Sequence, residues 1–285
     1  MDEASILIVG ANGQLGKALQ NKYPGARALD FDALDISSPE AVEAFDWSNT
    51  KIILNAAAYT NVDGAETPEG RVIAWSANAQ AVRNLCAASL VHDLTLVHIS
   101  TDYVFDGTKQ PHTETEAYSP LSVYGASKAA GDIALSLLPK HYILRTSWVI
   151  GDGKNFVRTM LDLGQKGINP TVVSDQIGRL TFTSELVRAI DHLLSAKAPA
   201  GTYNLTNSGD ATSWADITRQ IFKEAGFRNT VTDQTTANYF AGKLEAAPRP
   251  LNSVLDLKKI QATGFESRNW QADLAMYIKS QPRES

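Results

Sequence analysis

Four short apolar runs, "SILIVG", "KIILNAAA", "LTLVHIS" and "HYILRTSWVI", are dense in Ile, Leu and Val and lack the strict polar alternation of a sheet with one face in water. Strands of that kind need cover on both faces, which crossover helices of a parallel sheet provide. Segments of helical period separate the runs, at residues 14–22, 39–46, 70–91 and 122–138, and Ser38 ahead of Pro39 offers a capping residue. Strand, helix, strand repetition implies right-handed crossovers and an α/β fold with a doubly wound parallel sheet. Past residue 150 the pattern loosens into short strands, turns and connecting helices, as in "INPTVVSDQIGRLTFT", "GTYNLTNSGD" and "AAPRPLNSVLD". The expected division is residues 1–150 for the sheet and its helices, and 151–285 for a smaller, interleaved lobe. Strands near 171–173 and 203–206 are expected to return from that lobe to the sheet.

A chain of 285 residues, 44% hydrophobic and 20% charged, is long enough for one large domain or two closely joined ones. With 26 Lys and Arg against 31 Asp and Glu, the formal charge is −5, and no basic block points to nucleic acid or an anionic membrane. The expected partners are small molecules. Cys86 is the single cysteine, so no internal disulfide can form and a cytoplasmic setting is expected. The acidic start "MDEAS" and the short run from Ile6 to Val9 offer neither a signal-peptide core nor a membrane span. The five histidines are dispersed and no His or Cys spacing suggests a metal, so none is expected in the chemistry.

"ILIVGANGQLGKAL" places Gly10, Gly13 and Gly16 between a predicted strand and a predicted helix. Glycines there permit a tight turn and close backbone approach, so that a pyrophosphate can rest on the helix N-terminus of a Rossmann-like unit. The spacing is GxxGxxG, and a glycine triplet can also serve packing alone. Asp30, twenty residues after Gly10 at the end of "ARALD", can accept hydrogen bonds from an adenosine ribose. No Arg or Lys follows in "DFDALDIS", so the reading is NADH or NADPH with a lean to NADH; Asp35, with Ile36 after it, is placed towards the adenine.

"VYGASK" puts Tyr124 and Lys128 four residues apart, on one face of a helix. A nearby ammonium is expected to lower the phenol pKa and make Tyr124 a general acid for a carbonyl that receives a hydride. Thr101, ending "LTLVHIST", would add a hydroxyl donor to the same oxygen. Such a pair is usually a solvated helix face; the glycine loop and the threonine at a strand's carboxyl end are what favour chemistry here.

"GANGQLG", "NAAAYTNVD", "STDYVFDG", "YGASK", "RTSWVIG" with "KNFVRTML", "SDQIGR" and "RPLNS" together resemble the dTDP-4-dehydrorhamnose reductases, an extended branch of the short-chain dehydrogenases/reductases. The resemblance implies reduction of the 4-keto group of dTDP-4-dehydro-6-deoxy-L-mannose to dTDP-L-rhamnose by NADH or NADPH, with Thr101, Tyr124 and Lys128 as the catalytic set. It implies Gln14 and Leu15 over the pyrophosphate and Ala58, Tyr59 and Thr60 under the nicotinamide side. It further implies that Asp102 and Trp148 face the sugar. Arg249 could hold the substrate diphosphate as a charge-assisted fork or form a surface salt bridge, and Trp148 could be a pocket wall or core. Leu180 and Ile150 depart from the family's usual proline and aromatic. The partners implied are a dTDP-sugar and, left open, a second copy in a homodimer.

Two rivals share the same features. A nucleotide-sugar 4,6-dehydratase or epimerase has this fold, but a dehydratase needs acid and base side chains beside the threonine, and only Asp102 follows Thr101 before Tyr103. A non-catalytic NAD(P)-binding regulatory subunit, like the beta subunit of methionine adenosyltransferase, also resembles this family.

Overall fold

The computed structural model describes residues 2–243 and 246–281. The strands are β1 (Ile6–Val9), β2 (Arg27–Leu29), β3 (Ile52–Asn55), β4 (Thr95–Thr101), β5 (His141–Thr146), β6 (Val149–Ile150), β7 (Thr171–Val173), β8 (Ile177–Gly178), β9 (Thr181–Phe182), β10 (Gly201–Asn204), β11 (Thr212–Ser213) and β12 (Thr232–Gln234). The helices are α1 (Gln14–Lys22), α2 (Pro39–Ala44), α3 (Pro68–Trp75), α4 (Ala81–Val91), α5 (Val123–Leu135), α6 (Phe156–Gln165), α7 (Thr183–Ser195), α8 (Trp214–Ala225), α9 (Thr236–Phe240), α10 (Lys258–Gln261) and α11 (Trp270–Ser280). Among the described residues no helix is long and apolar enough to cross a membrane.

Six strands form one parallel sheet in the order β10-β5-β4-β3-β1-β2. Alternate side chains of β1 explain the cover on both faces. Ile6 and Ile8 pack with Leu15 and Leu19 of α1 and Leu186 and Ile190 of α7. Leu7 and Val9 pack on the other face with Val42 of α2 and Val82 and Leu85 of α4. Burying both faces removes the central strands β1 and β5 wholly from water and β3 and β4 nearly so, which is why these runs carry no polar alternation. A third core joins Ile150, Val157 and Met160 to Ile217, Phe222, Trp270 and Leu274 in the lobe.

Three local expectations need correction. The helix expected at 70–91 begins at Pro68 and is split by a π turn at Ser76–Gln80 into α3 and α4. Asn78, in that turn, aims its amide at the backbone of Tyr59, a contact that a continuous α register need not provide. The run "HYILRTSWVI" is two strands, because Trp148 adopts φ +49° and turns the chain out of the main sheet to pair β6 with β9. The strand at 171–173 does not return to the sheet: it pairs with β12, and the place beside β5 is taken by β10, which the chain reaches after α7. α7 packs on the sheet, so the 151–285 half contributes both to the lobe and to the sheet layer.

Candidate active site

From β1 the chain runs out to β2 at the sheet edge and comes back to β3 on the other side of β1, so the strand order reverses between β1 and β3. The crevice beyond the carboxyl ends at such a point is where open α/β sheets bind ligands. Gly10, just past β1, has φ +77°, and a Cβ there would stand 2.5 Å from the Ala57 nitrogen after β3. At Gly16 an added Cβ would collide with the Gly10 carbonyl oxygen, so these two glycines let the loop, α1 and the β3 end close on each other. Gly13, which caps α1, differs: the nearest atom to an added Cβ is Gly10 O at 3.4 Å. The space over the α1 N-terminus is therefore a cradle that a side chain would fill, suited to a diphosphate.

A cavity of about 550 Å³ extends from this loop and is lined by Gly10, Gly13, Asp30, Asp35, Ile36, Ala58 and Tyr59. The Asp30 carboxylate is oriented by backbone donors, Asn12 N–H to Oδ2 at 2.7 Å and Phe31 N–H to Oδ1 at 2.8 Å. Asp35 accepts from the Ser37 N–H and hydroxyl at 2.9 and 2.6 Å. Tyr59 is held by the buried Asn78, whose Oδ1 accepts its N–H at 2.9 Å and whose Nδ2 donates to its carbonyl at 3.1 Å. These residues fit an adenosine end.

A second cavity of about 430 Å³ shares Gly13 and Ala58 with the first and adds Gln14, Leu15, Thr60, Thr101, Asp102, Tyr124, Lys128 and Trp148. Gln14 also accepts the Gly151 N–H at 2.8 Å, tying the loop to the start of the lobe. Ser122 caps α5 by accepting from the Gly125 N–H, and the helix turns Tyr124 and Lys128 inward, 9% and 1% exposed, against Thr101 at the end of β4. Trp148, held at φ +49°, stacks on Trp214 with ring centroids 3.8 Å apart. Gly16 and Arg249 line neither cavity. The Arg249 guanidinium forms a two-point pair with Asp63, at 2.6 and 2.9 Å. Leu180 and Ile150 are buried in the lobe core and touch no chemistry.

Burial sets the electrostatics. It raises the Tyr124 phenol above its ordinary range; the Thr101 hydroxyl works against this, while Asp102 and Asp132 add to it. Burial also lowers Lys128 to about 8 in spite of Asp132. The expectation that Lys128 lowers the phenol pKa is corrected: desolvation dominates, and Tyr124 is a neutral phenol with a proton to give. Burial raises Asp102 to about 6, although Ser253 and Thr101 favour its anion. The Thr101 hydroxyl donates to its Oδ1 at 3.1 Å; Ser253 lies nearby, but Oδ2 has no partner in hydrogen-bonding geometry.

Sequence reasoning missed Asn55, His98 and Asn78, all buried: His98 meets Lys128 and Asn78 the backbone of Tyr59, while Asn55 holds the backbone of Ala57, which lines the first cavity. The signal for the first two was present as polar letters inside the apolar runs "KIILN" and "LVHIS". Among the described residues there is no group of three or more His, Cys, Asp or Glu side chains able to hold a metal.

The model of the family described as RmlD substrate binding domain matches residues 4–282. This chain belongs to that family. Among RmlD-family relatives, it is 39% identical to the dTDP-4-dehydrorhamnose reductase of Aggregatibacter actinomycetemcomitans, over 95% of this chain and 97% of that one. The solved dTDP-4-dehydrorhamnose reductase of Clostridium acetobutylicum superposes with a TM-score of 0.88 at 38% identity, covering 96% of this chain and 98% of that one. The Bacillus anthracis enzyme, solved in complex with NADP, gives 0.89 at 35% identity over 97% of this chain and 99% of that one.

Proposed function

We propose that the protein is an NAD(P)H-dependent oxidoreductase that reduces the 4-keto group of dTDP-4-dehydro-6-deoxy-L-mannose to dTDP-L-rhamnose, a nucleotide-sugar precursor of cell-surface polysaccharide. The observation that carries this reading is the meeting of Thr101, Tyr124 and Lys128 in one cavity with the glycine loop, in a chain similar to dTDP-4-dehydrorhamnose reductases over nearly its whole length. A reduced nicotinamide, when bound, supplies the hydride. Gly10, Gly13, Gln14, Leu15 and Asp30 would hold its dinucleotide, with Asp35, Ile36, Ala58, Tyr59 and Thr60 around the adenosine and nicotinamide ends. Asp30, with no cationic clamp in the residues after it, favours NADH at least as much as NADPH.

As the carbonyl carbon gains a hydride, its oxygen gains charge, and Tyr124 transfers the phenolic proton to it, completing the alcohol. The Thr101 hydroxyl, which in this structure donates to Asp102 Oδ1, turns its one proton to the same oxygen and steadies the developing charge. Asp102 and Trp148 hold the deoxysugar. The test is purified protein with the 4-keto sugar nucleotide and NADH or NADPH, followed by loss of reduced-nicotinamide absorbance and by product mass. Cofactor binding without product would overturn the reading.

Two finer readings follow. Val72 and Trp75 on α3 and Ile133 and Leu137 at α5 are exposed on neighbouring helices, an apolar face suited to a second copy of the chain. Sedimentation showing a monomer at micromolar concentration would remove it. The one cysteine, buried and free, is in keeping with a cytoplasmic setting.

A further inference from the structure

Three residues other than glycine have a left-handed backbone among the described residues: Asp93 at φ +55°, Trp148 at +49° and Lys197 at +48°. Asp93 and Lys197 stand just past the ends of α4 and α7, where that conformation commonly closes a helix. Trp148 ends no helix. It stands between β5 and β6, and a bulky side chain at positive φ costs free energy that the surrounding structure has to offset.

Two kinds of contact offset it. The backbone is tied to the segment around β9: the Trp148 carbonyl accepts from the Thr181 N–H at 3.1 Å, and the Ser147 hydroxyl donates to the Arg179 carbonyl at 3.3 Å. The indole is held by one small unit of the lobe. Trp214 lies against it with ring centroids 3.8 Å apart and planes 22° from parallel, and is itself backed by Phe156 at 4.3 Å. At Gly178 an added Cβ would stand 2.8 Å from Trp148 Cζ2 and 3.0 Å from Cη2, so the benzo edge of the indole rests on bare backbone. That unit is the β8 and β11 pair, in which Gly178 faces Thr212 and Ile177 faces Ser213. Ser213 then caps α8, whose first residue is Trp214. Trp148 lines the second cavity, whereas Trp214 and Gly178 line neither.

We propose that Trp214 and Gly178 are positioning residues for the sugar pocket: together they fix the plane of Trp148, and so set how tightly the keto sugar is held rather than how fast its carbonyl is reduced. The proposal rests on the reading of Trp148 as a residue that faces the sugar. Trp214 takes one face of the indole and Gly178 its benzo edge, so the cavity meets the rest of a ring already fixed before a ligand arrives. A wall ordered in advance spares the ligand the cost of ordering it, which strengthens binding. The chemistry stands apart, with Thr101 at the end of β4 and Tyr124 and Lys128 on α5. Loss of the stack therefore weakens ground state and transition state alike, the pattern that raises KM and leaves kcat.

The test perturbs the indole from two sides. Trp214→Leu removes the stacked ring but keeps apolar bulk in the lobe, Trp214→Phe restores a ring face, and Gly178→Ala presses a methyl group into the benzo edge. KM for the 4-keto sugar nucleotide should rise roughly 2–10-fold in Trp214→Leu and in Gly178→Ala, and return most of the way in Trp214→Phe, the range being that of an aromatic pair. In all three kcat and the affinity for reduced nicotinamide should stay within about twofold of wild type. Circular dichroism reports the stack without turnover. Trp148 and Trp214 are the one pair of tryptophans in ring contact among the described residues, and indoles stacked this closely couple into paired bands of opposite sign. Those bands should be lost in Trp214→Leu and equally in Trp148→Phe. A wild-type KM in a folded Trp214→Leu protein that has lost the bands would overturn the proposal, as would a parallel fall in kcat and cofactor affinity, the mark of a generally loosened fold. Should Trp214→Leu fail to fold, Gly178→Ala decides: an unchanged KM there overturns the proposal. Trp148→Ala separates the two levels of inference. A wild-type KM in that variant would remove the sugar wall and the proposal with it, whereas a raised KM there beside an unchanged one in Trp214→Leu would remove the proposal alone.

Discussion

Tyr124 can donate a proton only while it carries one, and burial keeps it protonated through the neutral range. Tyr124→Phe keeps the ring and its edge-on packing with Tyr103, centroids 5.5 Å apart, while removing the acid. The expected result is a fall in kcat of roughly 10²–10⁴-fold with cofactor affinity and melting temperature retained. Steady-state kinetics beside a cofactor titration check it, and near wild-type turnover in the folded variant would remove Tyr124 from the chemistry. Asp102 allows a prediction of a different kind. Its carboxyl is raised from 3.8 to about 6, so the fold prefers the protonated form. Stability from this group is fully present below about pH 4 and lost as pH rises through about 6. Asp102→Asn removes that penalty, so the variant should be more stable than wild type near pH 8, by up to about 3 kcal/mol, and little different near pH 4. Denaturant titrations at the two pH values decide it; a gain at acid pH instead would mean that the anion is satisfied by groups such as Ser253.

The π turn between α3 and α4 carries the loop after β3, because Asn78 bonds both the N–H and the carbonyl of Tyr59 and reaches Ser127 of α5 at 3.0 Å. Asn78→Ala leaves those buried groups unpaired, which costs about 1–3 kcal/mol, and loosens the wall shared by the two cavities. We expect a raised cofactor KM and a lowered melting temperature, with the pH profile of Tyr124 unchanged; a variant that melts early but binds cofactor normally would make Asn78 structural only. The stretch 70–91 reads as one helix because its turn residues, Ser76–Gln80, hold no Gly or Pro to mark a break, so only Asn78, a polar residue wholly buried, marks the place. The break after β5 was equally hidden: nothing in "RTSWVI" predicts a tryptophan at positive φ, a conformation held by the stack on Trp214 from an element far along the chain. The place of the glycine loop ahead of α1, and of Tyr124 and Lys128 on one face of α5, was legible because it depends on local spacing. Asn55 and His98 were not, because their link to Lys128 depends on strand order.

The two halves of the molecule are interleaved, with α7 and β10 returning to the sheet layer, and the segment around Arg249 crosses back to the loop that follows β3. There Arg249 holds Asp63 with two nitrogens and its own Ala247 carbonyl with one of them, and its guanidinium lies over the Phe240 ring, 5.0 Å from the centroid. The clasp ties the loop after β3 to the segment around Ala247, next to Val62 of the second cavity's lining, so its chief effect is on how those two segments sit together. Burial works to raise Asp63, but the Arg249 guanidinium and the Ala247 N–H bring it below its ordinary value. A carboxylate held low contributes stability above its unfolded pKa and loses it as pH falls through the folded one, so the clasp should hold at neutral pH and open in acid. Asp63 is half exposed, and such a pair contributes on the order of 1 kcal/mol. Asp63→Asn and Arg249→Leu should each lower the melting temperature at pH 7 by roughly 2–4 °C, and the double variant should fall little further, since each single change already breaks the same contact. The Asp63→Asn difference should shrink as pH falls below the ordinary carboxylate range and vanish once the folded-state carboxyl is protonated. Substrate kinetics then separate the two readings of Arg249. A clasp predicts that KM for the sugar nucleotide moves together in both single variants, whereas an arginine that grips the substrate diphosphate predicts a rise in Arg249→Leu that Asp63→Asn does not share.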